Sequence, residues 1–87
     1  MFKIFYKSSV EKDLRSIGSK DQLRIIEIIE KKLRIDPYQG KSLKGRFRPC
    51  RRIRIGDFRV IYTIDEDSII VLILRVRHRK DVYRGIL

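Results

Sequence analysis

The stretch Cys50-Arg51-Arg52-Ile53-Arg54-Ile55-Gly56-Asp57-Phe58-Arg59-Val60-Ile61-Tyr62 decides how this chain folds. Arg52 to Ile55 alternates charged and apolar residues with a period of two, the pattern of a half-buried strand. Phe58 to Ile64 is rich in β-branched and aromatic residues and reads as a second strand. Gly56-Asp57 between them suits a two-residue hairpin turn. Such a turn sets Ile55 opposite Phe58, Arg54 opposite Arg59 and Ile53 opposite Val60. Strand residues two apart share a face, so Arg52 joins Arg54 and Arg59 on one patch of sheet. Like charges directly opposite across a ladder repel each other. Such a patch favours an anion between the guanidinium groups, and the planar Arg fork suits phosphate. The plainer alternative is three side chains splayed into water.

Working outward, Asp65-Glu66-Asp67-Ser68 reads as a polar turn whose neighbouring carboxylates point apart. Ile69 to Leu74 is apolar on both faces, as a central strand would be. The basic remainder, Arg75 to Leu87, is expected to hold a short terminal helix. On the other side, Tyr38 to Pro49 is loop-like, broken by Gly40, Gly45 and Pro49. Phe2 to Tyr6 predicts a short opening strand. Ser8 with Glu11, and Ser19 with Gln22, match capping boxes and predict two helices separated by Gly18. The first carries Val10, Leu14 and Ile17 on one stripe. The second carries Leu23, Ile26, Ile29 and Leu33, widened by Ile25 and Ile28, and stops at Asp36-Pro37. The order β-α-α-β-β-β predicts an α+β fold, with a helical hairpin on one side of a small, mostly antiparallel sheet. Residues 1–87 are expected to form a single domain.

Twenty-two Lys and Arg against 11 Asp and Glu give a net charge of +11, and 43% hydrophobic residues suffice for a core. The charge is unevenly placed: +3 over 1–40, +7 over 41–60, −3 over 61–74 and +4 over 75–87. Two basic segments flanking an apolar run point to a polyanion partner rather than a uniform basic coat. Lys41, Lys44, Arg46, Arg48 and Arg51 come from the first segment, and Arg75, Arg79 and Lys80 from the second. Cys50 is the only cysteine, which excludes disulfide frameworks and cysteine-rich zinc sites. No P-loop or zinc spacing is present, so neither metal nor cofactor is expected. No apolar run reaches the ~20 residues of a membrane span. Met1-Phe2-Lys3-Ile4-Phe5 lacks the features of a signal peptide, so a cytoplasmic location is expected. His78, the only histidine, is a candidate for proton transfer beside a phosphate, against a packing role. Tyr83, on its own, reads as a packing tyrosine.

The element order, together with Leu43-Lys44-Gly45, the segment from Cys50 to Tyr62 and Val76-Arg77-His78-Arg79-Lys80-Asp81-Val82-Tyr83, resembles the RelE/ParE superfamily of toxin–antitoxin toxins. The arginine-rich face and the terminal Tyr resemble RelE-type messenger RNA nucleases more than ParE-type gyrase poisons. The resemblance implies a metal-independent endoribonuclease that cuts mRNA in the ribosomal A site, bound by a RelB-like antitoxin in a heterotetramer. The ribose 2′-OH would attack the adjacent phosphate and leave a 2′,3′-cyclic phosphate and a 5′-hydroxyl. By position, Arg52 and Arg54 fall where the family often has lysines. Arg59 matches the arginine that stabilises the transition state, Arg77 a second arginine implicated in phosphate contact or leaving-group protonation, and Tyr83 the tyrosine that positions substrate. The remaining basic residues named above become RNA contacts. Because Arg stays protonated, proton transfer is expected from His78, unless the arginines act by electrostatics alone. The competing readings are a non-enzymatic gyrase inhibitor on the same fold and a basic RNA-binding or ribosome-associated protein.

Overall fold

The computed structural model describes residues 1–80. One five-stranded sheet runs in the order β1-β5-β4-β3-β2. Its strands are β1 (Lys3–Tyr6), β2 (Lys41–Ser42), β3 (Cys50–Ile55), β4 (Phe58–Asp65) and β5 (Ile70–His78). β1 runs parallel to β5, and the other neighbours pair antiparallel. Helices α1 (Ser8–Arg15) and α2 (Ser19–Ile28, carried on by a wide π turn over Ile29–Leu33) cover one face. Val10, Ile17, Ile25, Ile29 and Leu33 of the helical layer meet Ile55, Val60, Tyr62, Val71, Ile73 and Val76 of the sheet in one core. The α+β architecture is the expected one, with the short β2 formed inside the stretch read as loop. No helix among the described residues is long and apolar enough to cross a membrane.

The central hairpin forms in the expected register: Ile55 opposite Phe58, Arg54 opposite Arg59, Ile53 opposite Val60. Gly56 holds φ at 58°, and Asp57 does not adopt a positive φ, as a type II′ turn with Gly in its first central position requires. β5 departs from expectation. It runs on to His78 instead of stopping at Leu74, and Ile61 opposes Arg75 while Tyr62 opposes Ile73. Leu74 is therefore an extra residue, a β-bulge in β5. Its cause lies in the apolar spacing. Val71, Ile73 and Val76 are all buried in the core, and the step of three from Ile73 to Val76 needs one residue out of the ladder.

Both capping boxes are corrected. Lys7 and Gly18 occupy the N-cap positions with no side-chain cap bond, and Ser8 and Ser19 are already helical. Gln22 donates instead from its side-chain amide to the Ile17 carbonyl, at 2.7 Å. The buried stripe of α2 is Ile25, Ile29 and Leu33, at i,i+4 spacing. Leu23 stands two residues, about 200°, before Ile25 and is 70% exposed.

The crossing from helix to sheet is anchored by Tyr62, fully buried, whose hydroxyl donates to the Pro37 carbonyl at 2.6 Å. Burial pushes its phenol above the ordinary tyrosine range. Gly40 lies against that ring. A Cβ there would stand 2.0 Å from Tyr62 Oη, a distance no packing tolerates. Gly40→Ala should therefore cost about 2–3 kcal/mol through overpacking, read as a lower midpoint in urea unfolding. At the other extreme of strain, the β-branched Ile69 holds φ at 57° while 49% exposed. Replacing it by Gly should stabilise the chain by about 1 kcal/mol, seen as a raised Tm, because the left-handed conformation costs an L residue about that much.

Candidate functional site

Strand parity sorts the sheet into a helix face and an opposite face. Phe58, Val60, Tyr62 and Ile64 of β4 pack into or against the core, so Arg59, Ile61 and Thr63 point the other way. Across the ladder, Arg59 faces Arg54 on β3 and Arg77 on β5. The result is one row of three guanidinium side chains on three adjacent strands, about 4.8 Å apart in the hydrogen-bonding direction. The next row runs Lys41, Arg52, Ile61, Arg75. Arg52 therefore shares the patch with Arg54 and Arg59, and Lys41 extends it to the β2 edge. Ile61, between Arg52 and Arg75 in the ladder, is only 1% exposed.

Arg59, at the centre, is the informative member. It is half-buried, and its Nη1 is shielded from solvent yet makes no hydrogen bond among the described residues. A buried donor left without an acceptor costs about 1–3 kcal/mol. Two like charges beside it add repulsion. Both costs fall when an anionic oxygen enters the row, and guanidinium forks bind phosphate oxygens bidentately. The row thus sets three guanidinium groups side by side on one face of the sheet, an arrangement whose chemistry suits an anionic oxygen.

A match to the family model for the ParE toxin of type II toxin-antitoxin system, parDE, covers residues 4–83. The chain belongs to the RelE/ParE superfamily of type II toxins. Toxin RelG of Mycobacterium tuberculosis is 29% identical over 84 residues, covering 95% of this toxin and 97% of that one. In the crystal structure of the toxin-antitoxin complex RelBE2 from the same organism, the matching chain gives a TM-score of 0.85 at 26% identity, over 90% of this toxin and 98% of that chain. The archaeal RelE-RelB complex from Pyrococcus horikoshii gives 0.66 at 25% identity, over 90% and 94%. The intact Escherichia coli RelBE complex gives 0.75 at 16% identity, over 90% and 96%, a likeness of fold.

The toxin's other candidate residues are spread more widely. Lys44, Arg46 and Arg48 are exposed around the turn Gly45–Phe47 between β2 and β3, with the Arg46 guanidinium 5.1 Å from the Phe47 ring centroid. Arg79 and Lys80 are exposed just beyond β5, where the Arg79 amide donates to the Asp57 carbonyl at 2.7 Å and ties the strand end to the hairpin turn. Tyr83 lies outside the described residues, as does most of the segment expected to form a terminal helix.

Three expectations are corrected. His78 opposes Phe58 and meets its ring edge-on at 5.4 Å, which places the imidazole on the helix face, away from Arg59. There it borders a cleft of about 260 Å³ with Asp13, Ser16, Ile17 and Gly18, and its Nδ1 accepts from the Lys80 amide at 3.2 Å. The imidazole therefore stands on the opposite face of the sheet from the arginine row. Arg51 donates from Nη1 to the carbonyls of Tyr38 at 3.2 Å and Gly40 at 2.8 Å and stacks on the Tyr38 ring, so it braces the loop. Arg75 starts on the arginine face but turns over the β5 edge to Asp13. That hydrogen-bonded partner raises the guanidinium pKa further, against the opposing effect of burial. Cys50 is buried, which pushes its thiol pKa up.

The residue missed in the sequence is Asp13. It sits three after Val10 and four before Ile17, inside the buried stripe of α1, and is 9% exposed. An acid on an apolar stripe was the signal available.

If the row is an anion site, removing its centre should relieve repulsion. Arg59→Gln is expected to raise stability by about 0.5–1 kcal/mol in phosphate-free buffer and to reduce the gain in Tm on adding inorganic phosphate. A larger phosphate gain in the variant than in the wild type would rule the site out.

Proposed function

We propose that this toxin is an endoribonuclease that cuts messenger RNA in the ribosomal A site and is held inactive by a cognate RelB-like antitoxin. The observation that carries it is the row Arg54–Arg59–Arg77, with a buried Arg59 nitrogen at its centre that makes no hydrogen bond among the described residues. The ribose 2′-oxygen forms a bond to phosphorus while the P–O5′ bond breaks, giving a 2′,3′-cyclic phosphate and a 5′-hydroxyl. The proton lost by the 2′-OH must leave, and one must reach O5′. Negative charge grows on the non-bridging oxygens in between, and that is where three fixed cations act most strongly. Arg59 contacts the phosphate from the centre, and Arg54 and Arg77 flank it. Arg52 and Lys41 hold the adjoining backbone. Lys44, Arg46, Arg48, Arg79 and Lys80 contribute salt-sensitive RNA or ribosome contacts.

Arginine does not give up its proton at neutral pH, so the rate enhancement rests on electrostatic stabilisation and alignment. Tyr83 keeps the substrate-positioning role implied by the resemblance. Solved relatives named as toxin–antitoxin complexes support the antitoxin as partner, and the heterotetramer is what the family resemblance implies. The family model names a ParE toxin, and this favours one alternative, inhibition of gyrase without RNA cleavage.

Induction in cells, with 5′ ends mapped by primer extension with translation running or blocked, separates the two. Cleavage within translated messages, lost when translation stops, is expected. Arg59→Ala should lower single-turnover cleavage at least ~100-fold, and His78→Ala should change it by less than about threefold. Intact messages alongside DNA damage would establish the gyrase alternative instead.

A further inference from the structure

β1 ends at Tyr6, opposite Ile73, so beyond that point β5 has no strand on its outer side among the described residues. Helix α1 takes the vacant place. The Lys7 amide donates to the Ile73 carbonyl at 2.9 Å, Ser9 Oγ donates to the Leu74 carbonyl at 2.7 Å, and the Val76 amide donates to Asp13 Oδ2 at 2.9 Å. These three bonds bracket the bulge residue Leu74. Asp13 closes the bracket with two more, accepting from Arg75 Nε and Nη2, both at 2.9 Å.

The bulge decides which side chain meets Arg59. Unbroken alternation from Ile73 would send Arg75 and Arg77 to the helix face and Val76 and His78 to the arginine face. With Leu74 out of the ladder, Arg77 stands opposite Arg59 and His78 turns toward the helices. The same carboxylate also draws the Arg75 guanidinium over the strand edge. Arg75 shares the arginine face with Arg77 two residues on, so releasing it would add an unplaced cation beside the row.

We propose that α1, through Ser9 and Asp13, is the positioning element of the arginine row, with Asp13 setting where Arg77 stands against Arg59. Asp13 is a positioning residue. It touches the backbone of Val76 and the side chain of Arg75, and acts on the row through them. The proposal rests on the nuclease reading for its consequence in catalysis, but the geometry it asserts belongs to the free protein.

The test is made on the free, full-length chain. Asp13→Asn keeps the side-chain size and removes the charge that holds Arg75. Ser9→Ala removes one bond at the bulge and leaves the core intact. Leu33→Val, in the core at the far end of α2, serves as a control of comparable stability loss. In Asp13→Asn the Val76 amide should exchange with solvent at least ~10-fold faster, and the Arg77 Nε–H resonance should move. Ser9→Ala should move the same resonance less, and Leu33→Val should leave it in place. An Arg77 resonance unmoved in both α1 variants, or moved equally by the control, overturns the proposal. Should Asp13→Asn fail to fold, Ser9→Ala decides alone. In the cleavage assay the folded Asp13→Asn variant should lose about tenfold in kcat with KM for RNA held within about twofold. A wild-type chain that cuts no RNA would overturn the nuclease reading and not the placement of Arg77.

Discussion

A single register, Arg54 opposite Arg59 opposite Arg77, ties the core of this toxin to its surface chemistry. Ile53, Val60 and Val76 stand one position along on the same three strands and face the helices. Burying side chains of that size contributes about 1.5–3 kcal/mol each. Cross-strand repulsion between like charges costs about 1 kcal/mol or less per pair. The apolar row therefore dictates the register, and the arginines are carried into line behind it. A slip of one residue would trade the positions, putting guanidinium groups into the core, which no compensation on the other face could offset.

Much of this was legible before any coordinates. Gly56-Asp57 and the alternation of Arg52 to Ile55 were enough to align Arg54 with Arg59, because hairpin register depends on local turn chemistry. The fold class followed from switching periodicities in the same way. What stayed hidden depended on contacts distant in sequence. Leu74 leaves the ladder where Val71, Ile73 and Val76 all reach one core and α1 bonds to the strand on either side of it, and that irregularity reverses the facing of Arg77 and His78. The resemblance placed Arg77 at the site, whereas the strand read from the sequence ran from Ile69 to Leu74 and stopped short of it. Leu23 reads as core in a helical projection, yet Ile25, Ile29 and Leu33 set the axis of burial. Arg51 and Arg75 counted as free charge until the structure gave them carbonyl and carboxylate partners.

Placing arginine where lysine is common has a chemical consequence. A row of guanidinium groups is a fixed field: on the proposed nuclease reading it would bind, align and stabilise developing negative charge, but it would not shuttle protons. Its rigidity comes from the sheet beneath, from the hairpin turn tied to Arg79 and from the α1 bonds along the open edge of β5. The basic loop around Gly45–Phe47 differs in kind. Its charges are exposed and on a turn, suited to long-range attraction and salt-dependent docking rather than to alignment of a reacting bond.

The most direct measurement is side-chain nuclear magnetic resonance of ¹⁵N-arginine-labelled toxin, titrated with a short RNA whose reacting 2′-hydroxyl is methylated so that it binds uncut. The Nε–H signals of Arg54, Arg59 and Arg77 should shift together and saturate at one RNA concentration, with the His78 ring unmoved. Shifts confined to Arg46 and Arg48, with Arg59 unmoved throughout, would contradict a phosphate site on the arginine row.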